Sequence, residues 1–335
     1  MENKKKHTKR FYISWGIPAF IILLCVFCSM WNVIATNSER TAYPPEGQIA
    51  DVFDTKIHVF PIGERSEGQP AIVLLSGLAT PSPTADYFPI WSRLGKQYHV
   101  VVLERPGYGW SYSTKRERSV NNIVEESREA LRQTGIEPPY IFVAHSYGGM
   151  EASMYAAAYP DEVKGVVLLD CTPPEQLKNY PSSVPLLNSA LSVMRSMGIF
   201  RLIGTVAPKT MEDKLLEQRN GLAMVSEHYR ELDRVFVMQK YQNGIVQGEQ
   251  KMRQANAQAV YDAGFPSSIP LSLIVSVQEG DENHPQYQDY MDRQAAWANH
   301  SDEGRVYTLT GGHYIHHYDP DMVCNIIDDL ILSNP

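Results

Sequence analysis

The chain has 335 residues, 43% of them hydrophobic, and a formal net charge of −8, enough apolar material for one large core. Residues 1–35 hold five Lys/Arg against one acidic residue, whereas the remainder holds 25 against 37. So acidic a body argues against nucleic acid and anionic headgroups as its partners. There is no internal repeat, no C-x-x-C and no H-E-x-x-H, so no cofactor and no metal is implied.

Lys4-Lys5-Lys6 and Lys9-Arg10 precede Phe11–Trp31, an uncharged stretch of 21 residues that is long enough to cross a bilayer. Residues 1–35 read as a basic tail and an uncleaved signal anchor. The basic flank would stay inside and leave the rest of a single-pass protein outside the cytoplasm. The rival is a secreted protein, cleaved after Val33-Ile34-Ala35. Cys25 and Cys28 lack a convincing lipobox. Residues 36–48, with Tyr43-Pro44-Pro45, read as a linker into a folded unit over 49–335.

In chain order, the buried strands expected are Ala71–Leu75, His99–Leu103, Tyr140–Val143, Gly165–Asp170, Pro270–Val275 and Arg305–Thr310. Between the third and fourth lies Ala144-His145-Ser146-Tyr147-Gly148-Gly149, followed by an alanine- and methionine-rich helix that stops at Pro160. This is a sharp strand-to-helix turn with small residues two positions either side of Ser146, and its hydroxyl sits at a helix N-terminus. The plain alternative is a surface turn with an incidental serine. Residues 171–264 form a long insertion with helix-like segments over Leu186–Ile203 and Met211–Gln239. A final helix follows Pro320.

These blocks resemble the α/β-hydrolase family. The run from Ala144 to Asp170 is similar to its nucleophile strand, helix and following strand. Glu104-Arg105-Pro106-Gly107-Tyr108-Gly109-Trp110-Ser111 is similar to its D-x-P-G-x-G-x-S loop, and Ser76-Gly77-Leu78 to its His-Gly oxyanion turn. The departures are Ser76 for His, Glu104 for Asp and Ala144 for Gly. The resemblance implies an α/β fold with a mostly parallel sheet, helices on both faces, and a helical cap at about 172–264 inserted before the penultimate core strand.

It also implies Ser146 as nucleophile and His313, after Gly311-Gly312, as base, with His316 and His317 as nearby alternatives. Two acids compete: Glu279, nine residues beyond Pro270 and close to Asp281 and Glu282, and Asp170, at the end of the strand after the nucleophile helix. Backbone N–H groups of Leu78 and Tyr147 would hold an oxyanion. His145 is expected to point off the opposite side of the elbow as a packing or hydrogen-bonding residue, and His228 and His284 to lie on the surface. Cys171 and Cys324 could pair outside the cytoplasm or remain buried thiols.

The function expected is a membrane-anchored serine hydrolase that cleaves a small-molecule ester through an acyl-enzyme. A proline iminopeptidase-like enzyme, an acyltransferase and a non-catalytic binding homologue are the alternatives. Dehalogenase and epoxide hydrolase relatives use an aspartate nucleophile where this chain has Ser146.

Overall fold

A computed structural model describes residues 2–179, 184–207 and 216–333. Its centre is an eight-stranded sheet in the order β1-β2-β4-β3-β5-β6-β7-β8. The strands are β1 (Gln48–Val52), β2 (Thr55–Ile62), β3 (Ala71–Leu75), β4 (Val100–Glu104), β5 (Tyr140–His145), β6 (Val163–Leu169), β7 (Leu271–Val277) and β8 (Gly304–Thr310). β2 pairs antiparallel with β1 and β4, and every pair from β4 onward is parallel. Strands β3, β4 and β5 are buried along their whole length, which is why they read as continuous apolar runs rather than as alternating ones.

Helices α2 (Pro83–Asp86), α3 (Phe88–Leu94), α4 (Val120–Gln133), α5 (Gly148–Ala158), α11 (Tyr287–Ala298) and α12 (Pro320–Ser333) cover the sheet. Two apolar layers result, one around Phe142, Met150 and Tyr155, the other around Ile72, Val102 and Ile327. The insertion between β6 and β7 supplies α6 (Pro174–Leu177), α7 (Leu186–Ser196), α8 (Ile199–Val206), α9 (Glu227–Lys240) and α10 (Gly244–Ala263). Of the helix expected over Met211–Gln239, the first residues lie outside the described ones. Its later part is α9, preceded by a kinked turn at Glu217–Leu222.

The N-terminal helix α1 runs unbroken over Glu2–Ala42. Its segment Trp15–Ala42 has a mean hydropathy of up to 2.3, apolar and long enough either to span a membrane or to be a signal sequence. The linker expected from residue 36 is corrected: Thr36–Ala42 continue the helix, which stops only where Pro44-Pro45 disfavour the α conformation upstream. Glu39 inside that stretch is not solvated linker; it forks onto the Arg201 guanidinium of α8.

Candidate active site

Strands β5 and β6 are neighbours in register, with His145 opposite Leu169, so the next residue on each emerges at the same edge of the sheet. Those residues are Ser146 and Asp170, and both turn into the left-handed region, with φ of 52° and 47°. For non-glycine residues this conformation costs energy and persists only where the surroundings enforce it. Backbone bonds do so: Ser146 N–H donates to Leu169 O (3.0 Å) and Asp170 N–H to Ile274 O (2.7 Å). Gly148 then lies so close to β3 that a Cβ there would sit 2.6 Å from Leu75 O, which explains glycine at the start of α5.

His313, in the turn after β8, joins the two. Its Nε2 lies 2.9 Å from Ser146 Oγ and its Nδ1 2.5 Å from Asp170 Oδ2. The second carboxylate oxygen accepts from Ser276 N–H at 2.9 Å and faces the Tyr290 hydroxyl at 3.4 Å. The serine is half-buried and the imidazole exposed. A ring held in this way can accept the serine proton on Nε2 while the carboxylate fixes Nδ1–H.

The structure does not bring Glu279 to this site. β7 runs to Val277, paired with Thr310, and Glu279 falls on the exposed turn beyond. Both ring nitrogens of His313 are already engaged, and the Ser276 backbone supports Asp170 instead. His316 and His317 are likewise not in reach of the serine. Their Nε2 atoms each lie 3.1 Å from one oxygen of Asp86, and all three side chains are fully buried. These three residues have the donor set of a metal site, but each carboxylate oxygen already has its imidazole partner.

His145 is buried and hydrogen-bonded as expected, but it does not point off the opposite side of the elbow: its Nε2 lies 3.0 Å from His313 O and its ring 4.7 Å from the His313 ring. His228 pairs with Glu46 at the surface, and His284 is exposed. Cys171 and Cys324 are free buried thiols, and Cys171 sits under the elbow, with Sγ 3.3 Å from Ala144 O.

Burial, then the His313 and His316 rings, hold His145 well below the usual imidazole range, and burial pushes His317 down to about 4. The unfolded chain takes up both protons near pH 6.5. Because these folded-state values are depressed, their stabilising contribution is complete above about pH 6.5 and is lost as the pH falls towards 4. His317 alone accounts for about 3 kcal/mol of that loss. Thermal melts of the full chain in mild detergent between pH 7.5 and 4 are expected to show a steep fall in Tm across this window; a flat profile would refute the buried-imidazole account.

Sequence reasoning missed the charged group behind the turn at Ser76–Leu78. Arg105 is buried and donates to Ser76 O (2.8 Å) and Gly77 O (3.1 Å). It is flanked by Glu151 at 3.1 Å and by Glu249, from the middle of α10, at 3.4 Å. Glu249 also accepts from the Tyr108 hydroxyl (2.5 Å), which in turn accepts from Ala79 N–H (3.1 Å). A side chain at Gly77 would approach Ser146 Cβ to 3.2 Å, so this pinned turn lies directly against the elbow. No local signal marked the charged group, because Glu249 shares its buried helix face with Asn256 as well as with Ile245, Val246 and Ala257.

Residues 70–260 match the α/β-hydrolase fold family, and the chain belongs to it. It is 25% identical to the uncharacterized protein YbdG of Bacillus subtilis over 314 residues, 92% of each chain. A shorter match of 89 residues, 32% identical, links it to the human (lyso)-N-acylphosphatidylethanolamine lipase and covers 24% of this chain and 26% of that protein. Among solved structures, a putative epoxide hydrolase from Pseudomonas aeruginosa superposes with a TM-score of 0.61 at 19% identity, over 86% of this chain and 95% of that one; that likeness shows the fold alone.

Proposed function

We propose that this α/β hydrolase cleaves a small-molecule ester, with Ser146 as nucleophile, His313 as general base and Asp170 as the acid that orients it. The observation that carries the reading is the continuous relay from Ser146 Oγ through both nitrogens of His313 to Asp170. Ser146 attacks the acyl carbon as His313 takes its proton, and the backbone N–H groups of Leu78 and Tyr147 receive the developing oxyanion. His313 returns the proton to the leaving alcohol, then activates water to release the acid. The exposed imidazole is open to that water. Serine at position 146 separates the chain from epoxide hydrolases of the same fold, and the lipase relative supports an acyl substrate. In this reading α1 stays attached as a signal anchor and the hydrolase body lies outside the cytoplasm.

Mass spectrometry after treatment with a fluorophosphonate tests the assignment: the adduct is expected on Ser146, and a folded protein that takes none overturns it.

Arg105 enters the same mechanism as a positioning residue. By holding the carbonyls of Ser76 and Gly77 it orients the turn that presents Leu78 N–H. Arg105→Met is therefore expected to lower kcat by about 10²-fold, comparable to the loss of one oxyanion donor, with little change in KM. A folded variant that turns over at the parent rate removes Arg105 from the account.

A further inference from the structure

The two cap helices α7 and α8 hold only two charged residues between positions 185 and 207, Arg195 and Arg201. Neither is available to the outside. Arg195 Nη1 donates to Gln239 O at 2.7 Å. Arg201 donates to Asn32 Oδ1 at 3.1 Å and forks onto Glu39. What the pair turns outward is apolar: Leu186, Leu187, Val193 and Val206 are 86%, 67%, 56% and 72% exposed. Single exposed apolar residues need no explanation, but four on two adjoining helices, with only Ser196 and Thr205 as exposed polar neighbours and no exposed charge, do.

The position of α1 says what covers it. α1 is uncharged from Phe11 to Ser38, and its stretch from Trp15 to Ile34 is about 30 Å long, the thickness of a hydrocarbon core. α8 starts against the last third of that stretch, at Cys28 and Asn32, and reaches past it through the Arg201–Glu39 pair. Gly198, with φ of 76°, lies so close that a Cβ would come within 2.2 Å of Cys28 O and 2.9 Å of Asn32 Cβ. Cys28 is fully buried there, and Ser29 Oγ donates to Met197 O at 3.2 Å. A span seated in a bilayer over residues 15–34 therefore carries the junction of α7 and α8, residues 195–198, down to the depth of residues 28–32.

We infer that the outer face of α7 and α8 is a membrane-inserted surface, with the acyl chains and glycerol region of the adjoining leaflet as its occupant. The inference rests on the reading of α1 as a retained anchor. Arg201 is paired with Glu39 and Arg195 is turned inward onto the Gln239 carbonyl, which keeps both charges off the face that such insertion would bury.

The test uses the unmodified full chain in phosphatidylcholine vesicles, with a lipid-partitioned diazirine photolabel and peptide mapping. Peptides spanning 186–206 are expected to be labelled as heavily as those spanning 15–34, and about tenfold above α4, which exposes no large apolar side chain. Labelling over 15–34 without labelling over 186–206 overturns the inference and leaves the anchor standing. Labelling of neither removes the anchor and, with it, the inference. Protection of 186–206 together with self-cross-linking names a second copy of the chain as occupant and equally overturns it.

Discussion

Ser146→Ala is expected to abolish the fluorophosphonate adduct and to lower kcat by about 10⁶, as removal of a nucleophile does when no other group replaces it. The fold should survive. The backbone at 146 is held by bonds to Leu169 O and from Gly149 N–H, none of which uses the hydroxyl. Alanine has the same left-handed penalty as serine, so the thermal melt should match that of the parent. Turnover that persists in this variant with an unchanged melt would eliminate Ser146 as nucleophile, whatever the distance to His313.

The second large effect is expected at Asp170. Ser276 N–H and the Tyr290 hydroxyl face Oδ1, so in Asp170→Asn the amide oxygen takes that side and the NH2 turns to His313 Nδ1. Two donors cannot share that contact unless the ring moves its proton to Nε2. An Nε2–H can no longer accept from Ser146, and kcat should fall by about 10⁴. Glu279→Gln, on its exposed turn, should leave kcat unchanged. The two variants measured side by side decide the acid: equal, mild losses would leave His313 without an assigned partner.

Why Ser146 and His313 were legible, and the carboxylate that meets His313 was not, follows from what each requires. A nucleophile elbow is local: a buried strand, small neighbours and a helix within a few residues leave their mark in consecutive positions. The turn that carries His313 is local too, with its glycine pair. The choice between Asp170 and Glu279 depends on where β7 ends and what its last residues face. The pairing of Leu169 with Ile274 brings Ser276 N–H onto Asp170, while two residues of strand beyond Val275 carry Glu279 away. Registers between segments a hundred residues apart write no pattern into either one.

The same holds for the polar interior. Arg105 and Glu249 are separated by 144 positions, and each alone looks like an ordinary surface charge. Six of the eight strands were read, because fully buried parallel strands are apolar runs bounded by turns; the antiparallel β1 and β2 at the edge, with exposed positions among their buried ones, were not. Residues 36–42 were misread for a different reason: a polar composition suits a linker, but nothing there breaks a helix, and Arg201 supplies the partner for Glu39.

The carboxylate of Glu249 also bears on redesign. Hydrolase caps invite exchange as modules, with one body retained and the insertion replaced to change what it accepts. Here the insertion delivers an acid into the body, where it meets Arg105 and the Tyr108 hydroxyl behind the turn at 76–79. A graft without an equivalent acid would remove a buried counter-charge from Arg105 and the acceptor from Tyr108, a loss of about 3–5 kcal/mol by the usual cost of breaking a buried pair. Body and insertion are thus joined by a shared ion pair, and a chimera has to inherit both halves of it.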